Sequence, residues 1–267
     1  MNTLYPPPEQ AVTDSIPEKK QRLILLDELR GFAVCCMVFY HGFYSMASIF
    51  GLSIGRDLLY FFMPAEPWFA GLFILISGIC CNFSHSNAVR GAKLLAVALA
   101  VTLVTCLILP QERIIFGILH FLSLSMLLCA LLQPLCRRIP VLWGLVLNVL
   151  LYFCFWKIGH GVLFFGVSLP RSWYEGFGDW LCPLGIHSST FFSSDYFPLL
   201  PWVFVFFFGV FLGRLAKEGK FPRFFAASHV PLFAFTGRHA LLIYILHQPV
   251  ILGISYGVQA LLSLGRG

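Results

Sequence analysis

Charged residues are scarce in this sequence. Only 11% of its 267 residues are Asp, Glu, Lys or Arg, whereas an ordinary soluble domain contains roughly 25%. Hydrophobic residues make up 58% of the chain, and they fall in blocks near the ~20 residues that a helix needs to cross a bilayer core. The composition therefore excludes a water-soluble globule and predicts one polytopic membrane domain.

The sequence also lacks the patterns of several other protein classes. Most of its nine cysteines lie inside apolar stretches, which favours small packing groups over a disulfide framework. Apolar runs such as LLAVALAVTLVTCLILP lack the alternation of barrel strands, so the spans are predicted to be helices. No nucleic-acid motif is present, and no tightly bound cofactor or metal site is predicted. The net charge of +6 is explained by topology and by attraction to anionic lipid.

Seven apolar stretches are each predicted to form a membrane-spanning helix, which gives an all-α fold. Residues 1–21 are polar and have neither the apolar core nor the cleavage site of a signal peptide, so we expect a disordered cytoplasmic tail. Residues 22–267 are predicted to form one transmembrane domain. Its predicted spans are 29–50, 67–83, 92–110, 114–134, 139–158, 197–215 and 237–263.

The distribution of basic residues predicts the orientation, because Lys and Arg are retained on the cytoplasmic side of short loops. With the N-terminus inside, thirteen of the 18 Lys and Arg residues fall on the cytoplasmic side and five outside. We therefore predict an inside N-terminus, an outside C-terminus and one long outer loop at 159–196. Trp173 and Trp180 predict that this loop dips into the membrane interface.

Ionisable residues inside a span are costly, so each requires an explanation. Arg30 lies at the cytoplasmic end of the first predicted helix, and His41 follows eleven residues later, about three turns along nearly the same face. His41 then lies ~16 Å deeper, roughly halfway through a ~30 Å core. Asp27 is placed one turn before Arg30 to pair with it. We predict that His41 and Arg30 face one groove.

Further polar residues are predicted near the same depth. His120 and His247 lie about 10 and 15 Å into their helices, and Asp195 precedes the sixth span, whose first turns contain Pro198 and Pro201. Such irregular backbone is expected where it lines a cavity. A single intramembrane histidine also serves as a hydrogen bond between helices, so this structural alternative stays open, above all for His120.

These residue types fit acyl transfer. A neutral histidine near the membrane centre is suited to accept a proton from a hydroxyl or amine, and arginines nearer the cytoplasm are suited to bind phosphates. The phosphates of acyl-CoA are predicted to bind at Arg30, Arg238 or the loop of Arg90 and Lys93, with the thioester beside His41.

Several segments resemble one membrane family. The opening RLILLDELRGFAVCCMVFYHGFYSM is similar to the start of bacterial proteins grouped with the catalytic domain of heparan-α-glucosaminide N-acetyltransferase, within the transmembrane acyltransferase superfamily. The Arg30 to His41 spacing also resembles the Arg-x10-His signature of acyltransferase-3 type enzymes. Further similar segments are FILISG at 73–78, FGILHFLSLSMLL at 116–128, DYFPLLPW at 195–202 and GRHALLIYILHQPV at 237–250.

The resemblance implies transfer of acetyl from cytoplasmic acetyl-CoA to an acceptor across or within a bacterial cytoplasmic membrane. It implies that His41 is the catalytic base, Arg30 a donor-site or orienting residue and Asp27 its partner. His247 and Gln248, in the HQP element, would line the core with Asp195 and His120. A cell-envelope sugar or lipid is the expected acceptor, of unknown identity, and the sequence does not give the oligomeric state.

Two other functions stay open at the level of sequence. A proton-coupled transporter or flippase would use His41, His120 and His247 as a relay, although a donor with several phosphates explains the basic cytoplasmic cluster better. Metal or haem ligation by the midplane histidines is the other alternative, but no paired histidine spacing on neighbouring helices supports it.

Overall fold

A computed structural model describes residues 22–176 and 178–264, so the predicted N-terminal tail lies outside the described residues. The described chain is almost entirely helical and contains no β-strand, which confirms the all-α prediction. Within these two described ranges, seven helical segments are long and apolar enough to cross a membrane. They are Ile24–Ile49, Ser53–Phe83, Asn87–Ile108, Ile118–Arg138, Val141–His160, Leu199–Lys217 and Ala240–Gln259.

Ten α-helices make up these segments and their connections in the described ranges. A five-residue π-helix, Ser45–Ile49, continues the first of them. The helices are α1 Ile24–Tyr44, α2 Ser53–Phe62, α3 Glu66–Cys80, α4 Asn87–Ile108, α5 Ile118–Arg138, α6 Val141–Phe155, α7 Arg171–Glu175, α8 Leu199–Lys217, α9 Pro231–Arg238 and α10 Ala240–Leu264.

The number of spans agrees with the prediction, but their boundaries differ, most of all at the start of the second span. The second span begins at Ser53 rather than at residue 67, because α2 and a 3-10 turn, Met63–Ala65, precede α3. The last predicted stretch, 237–263, begins with the final two residues of α9, and His239 separates these from α10. At the start of α8, Leu200 has non-helical torsions, as the flanking prolines predict.

The core lies where α3, α5 and α8 meet. Phe121 of α5, Phe206 of α8 and Ile74 of α3 are completely buried there. Glycines allow the α3 and α8 backbones to approach closely, since a Cβ at Gly78 would collide with the main-chain oxygen of Phe206. Small residues commonly perform this role where membrane helices pack together.

A second close crossing joins α1 to α9. A Cβ at Gly31 would collide with the main-chain oxygen of Phe233, and one at Gly237 would collide with that of Asp27. The buried carboxylate of Glu28 accepts hydrogen bonds from the Ser228 hydroxyl and from two main-chain N–H groups at the start of α9. The short helix that ends at Arg238 is therefore fixed tightly against α1.

Candidate functional site

The loop before α8 brings a buried carboxylate to the start of α5. Asp195 is 7% exposed, and its Oδ2 atom accepts hydrogen bonds from the main-chain N–H of Ile118, at 3.1 Å, and from the Tyr244 hydroxyl. A carboxylate is favourable at a helix N-terminus because the free N–H groups and the helix dipole point toward it. Gly117 makes room for it, since a Cβ there would collide with Oδ2.

Burial raises the pKa of Asp195, and its hydrogen bonds with Tyr244 and Ile118 only partly oppose this effect. The raised pKa means that the protein holds a proton on this carboxyl group more readily than an exposed aspartate would. Asp195 itself precedes the span Leu199–Lys217.

Two of the predicted histidines form a pair. The rings of His41 and His247 lie 5.0 Å apart, centroid to centroid. Nδ1 of His247 is 2.5 Å from the main-chain oxygen of Tyr244; because a carbonyl oxygen only accepts, this nitrogen carries the proton and Nε2 is free to accept one. Close by, Gln248 donates to the hydroxyl of Ser45 in the π-helix at 3.1 Å, which fixes α10 against α1.

A cavity of about 210 Å³, here called the central cavity, lies beside this pair. Its polar lining includes His41, Glu66, Asp195 and Tyr244, and its apolar lining includes Phe73. The side chains come from α1, α3, α10 and the loop before α8, so distant parts of the sequence build one chamber. It combines a histidine and two carboxyl groups in largely apolar surroundings.

A second cavity, of about 370 Å³, lies toward the end at which α1 begins and is here called the basic cavity. Its lining contains four cationic side chains and no acidic one, and it shares Phe73 and Tyr244 with the central cavity. The four cations are Arg30, Arg90, Lys93 and Arg238, the same four that the sequence predicts for a phosphate-bearing donor.

Arg30 contacts two other side chains. Its NH1 atom lies 3.4 Å from Oδ1 of Asp27, and its NH2 atom donates to the Cys80 sulfur at 2.8 Å. Asp27 also pairs with Arg22 at 2.7 Å. Arg30 and His41 thus line two adjoining cavities rather than the single groove that the sequence predicted.

His120 lies outside the linings of the two cavities. It is buried, its Nε2 atom lies 3.2 Å from the Thr102 hydroxyl, and its ring packs against Phe116. This is the geometry of a helix-to-helix hydrogen bond, the structural alternative left open above.

Sequence reasoning did not single out Tyr244 and Glu66. Tyr244 stands in the motif that contains His247, one turn before it, and this spacing is the signal that was available. Glu66 carried a different signal, because a carboxyl group close to an apolar stretch is costly and needs a role. Among the described residues, no group of three or more His, Cys, Asp or Glu side chains is placed to hold a metal ion.

Comparison with known proteins identifies the family of the chain. The family model described as "Heparan-alpha-glucosaminide N-acetyltransferase, catalytic" matches residues 22–249. No curated protein and no solved structure matches the chain. The matched region contains both cavities and the His41–His247 pair. The chain therefore belongs to the heparan-α-glucosaminide N-acetyltransferase catalytic family, and its activity is that of a membrane acetyltransferase.

Proposed function

We propose that this acetyltransferase uses acetyl-CoA as its donor and transfers the acetyl group to a hydroxyl or amine of a cell-envelope sugar or lipid. The observation that carries the proposal is the shared wall between the basic and the central cavity. A donor that is polyanionic at one end and reactive at the other matches two such chambers in series.

The charges of the basic cavity support a donor with several phosphates. Among the described residues, no carboxylate forms an ion pair with Arg90, Lys93 or Arg238. Cations without protein partners are available for phosphate oxygens, and arginine binds these in bidentate fashion. The pair of Asp27 with Arg30 holds the fourth cation in place without neutralising the cluster.

The path from this cluster leads past Phe73 and Tyr244. With the nucleotide phosphates in the basic cavity, the pantetheine arm extends between these two aromatic side chains into the central cavity. The thioester then lies beside His41, the member of the histidine pair that lines the central cavity.

In the proposed reaction His41 is the general base. It removes the proton from the acceptor hydroxyl or amine as that group attacks the thioester carbon, and the proton then passes to the departing coenzyme A thiolate. Asp195 holds the Tyr244 hydroxyl at the boundary of the two cavities, which makes both positioning residues for the thioester.

The site also bears on the transporter alternative. A relay through three histidines requires continuity, and among the described residues no ring contact or hydrogen bond joins His120 to the His41–His247 pair. The cluster of unpaired cations has no role in proton coupling. We therefore favour acetyl-CoA-dependent transfer in a multi-pass protein of the cytoplasmic membrane, with the basic cavity on the cytoplasmic side.

The test separates binding from chemistry. Purified protein in bacterial-lipid vesicles receives radiolabelled acetyl-CoA, with dissolved glucosamine as a second acceptor probe, and calorimetry measures donor binding. We expect His41→Ala to reduce transfer by about 10²- to 10⁴-fold, the contribution of general base catalysis, with donor binding kept. We expect Arg30→Ala to weaken binding by about 10- to 150-fold, which corresponds to the loss of one charged hydrogen-bond partner.

His160→Ala and Arg138→Ala are matched controls, because neither side chain lines the central or the basic cavity. Both are expected to behave as wild type. Transfer at the wild-type rate by His41→Ala would refute the assigned base, and absence of acetyl-CoA binding by folded wild-type protein would refute the donor.

A further inference from the structure

A third cavity extends from the histidine pair along the side of the molecule. It has a volume of about 570 Å³, lies between α4 and α10 and is here called the lateral groove. Its inner end contains Val97, which also lines the basic cavity, and its polar far end contains Glu112 and Ser194, of which Ser194 also lines the central cavity beside His41. Between these ends the wall is apolar, formed by residues that include Val97, Val101, Val104, Ile108 and Leu252.

The lateral groove lies among side chains that face the bilayer. Val104 of its wall is 51% exposed and Ile108 is 69% exposed. On the same helices, Leu103 and Ile254, which do not line the groove, are 60% and 63% exposed. Because such apolar surfaces on spanning helices contact hydrocarbon, the groove between them is accessible from the membrane.

The polar far end is at an interface. Glu112 belongs to the 3-10 turn Pro110–Glu112 that follows α4, and its Oε2 atom accepts a hydrogen bond of 2.6 Å from the Ser194 hydroxyl. From Val97 to Ile108 the groove follows α4 for about 16 Å, which is close to half of a ~30 Å hydrocarbon core. The length of the groove therefore matches the hydrocarbon thickness of one leaflet, and its polar end matches the head-group region.

We propose that the lateral groove binds the acceptor and that the acceptor is a membrane lipid with a hydroxyl or amine in its head group. Its head lies at the Glu112 end, where Ser194 joins the groove to the central cavity and His41, and its chain lies along α4 toward Val97. The leaflet is that of the Glu112 end, which the distribution of basic residues predicts to be the outer one. The inference rests on the proposed acetyl-CoA-dependent function, and it names the acceptor class.

Two other occupants fit the groove less well. A free sugar has no apolar part to contact the wall of the groove, and its hydroxyl groups would lose their hydration in a groove that opens to hydrocarbon. The acyl part of the donor is only an acetyl group, for which the central cavity is already large enough. A lipid satisfies both the apolar wall and the polar end.

The arrangement gives a balanced reaction. The lipid's O–H or N–H bond breaks as its proton moves to His41, and the oxygen or nitrogen forms a bond to the acetyl carbon. The carbon–sulfur bond then breaks, and the proton from His41 converts the coenzyme A thiolate to a thiol. No further reactant is required.

The test blocks the groove without touching the cavities. Val104→Trp fills the groove, and Leu103→Trp, the matched control, adds the same bulk to the neighbouring exposed position outside it. Each protein is reconstituted in phosphatidylcholine vesicles containing a phosphatidylethanolamine with a photoreactive acyl chain. Mass spectrometry then locates the crosslinks, while calorimetry measures binding of acetyl-CoA and of palmitoyl-CoA.

We expect crosslinks on groove-lining residues in the wild type and in Leu103→Trp. In Val104→Trp they are expected to fall by roughly 10- to 200-fold, the range of steric discrimination in apolar pockets, with acetyl-CoA binding unchanged. Equal labelling of the groove in both variants would overturn the inference. So would weaker palmitoyl-CoA binding by Val104→Trp with unchanged lipid labelling, because the groove would then belong to the donor chain.

The two proposals fail in different ways. Transfer to dissolved glucosamine but not to vesicle lipid, with acetyl-CoA bound, would leave the proposed function intact and refute the lipid acceptor. Absence of acetyl-CoA binding by the wild type would refute the proposed function, and with it the acceptor role of any lipid that labels the groove.

Discussion

Replacement of Gly237 by alanine tests whether the α1–α9 crossing positions the donor site. A Cβ at this position would lie much closer than 3.0 Å to the main-chain oxygen of Asp27, and real Cβ atoms essentially never make contacts shorter than 3.0 Å. A main-chain atom in a helix cannot rotate away, so α9 must move from α1 by roughly 1 Å. Gly237 is followed by Arg238, which lines the basic cavity together with Arg30.

The displacement has two expected effects. Overpacking costs about 1–3 kcal/mol of stability, and a misplacement of ~1 Å in a binding site costs up to about 10²-fold. We therefore expect Gly237→Ala to lower the melting temperature in detergent and to weaken acetyl-CoA binding by about one to two orders of magnitude.

Gly253→Ala is the control, because a Cβ at Gly253 meets no atom within 4 Å. It is expected to bind acetyl-CoA normally and to be as stable as wild type, or slightly more stable. Calorimetry and thermal unfolding measure both variants. If Gly237→Ala behaved like Gly253→Ala in both assays, the argument that this crossing sets the donor site would be refuted.

Two further substitutions test buried carboxyl groups by thermal unfolding. The raised pKa of Asp195 means that the folded state binds its proton more tightly, so stability is highest below the unfolded-state pKa and falls as pH rises through the folded one. Asp195→Asn should lose this pH-dependent part of the stability. If the stability of the variant and that of the wild type changed with pH in parallel, the argument would be contradicted. Glu28→Ala leaves the buried main-chain N–H groups at the start of α9 unpaired, which should lower the free energy of unfolding by about 1.5–3 kcal/mol. An unchanged melting temperature in this variant would show that the hydrogen bonds to Glu28 are not essential.

The spans were predictable because hydrophobicity over about 20 residues is a local property of the chain. α2 and α9 were not, because both are short and the sequence of α2 includes Gly55, Arg56 and Asp57, which interrupt its apolar character. Such helices are stabilised by packing against neighbours rather than by their own composition. Their existence therefore depends on contacts that the sequence does not display.

The candidate site was likewise predictable only where it depends on local sequence, and not where it depends on packing between helices. The depth of His41 and His247 follows from counting residues along a helix, and the two rings do lie together. Depth does not determine which neighbouring helix a side chain faces, and His120 faces Thr102 instead. The contact of Tyr244 with Asp195 joins residues 49 positions apart, and it depends on how α10 packs beside the start of α5.

The wall that the basic and central cavities share also determines how the membrane potential acts on the proposed reaction. A charge that crosses the bilayer gains or loses about 2.3 kcal/mol per 100 mV. The coenzyme, with its phosphates, enters and leaves on one side. Its uncharged pantetheine arm reaches past Phe73 and Tyr244 and withdraws again, and only the acetyl group stays beyond them. Because a proton from the acceptor returns to the thiolate as the acetyl group departs, the exchange is electroneutral. An energised membrane would therefore neither drive nor oppose the modification of its own far surface.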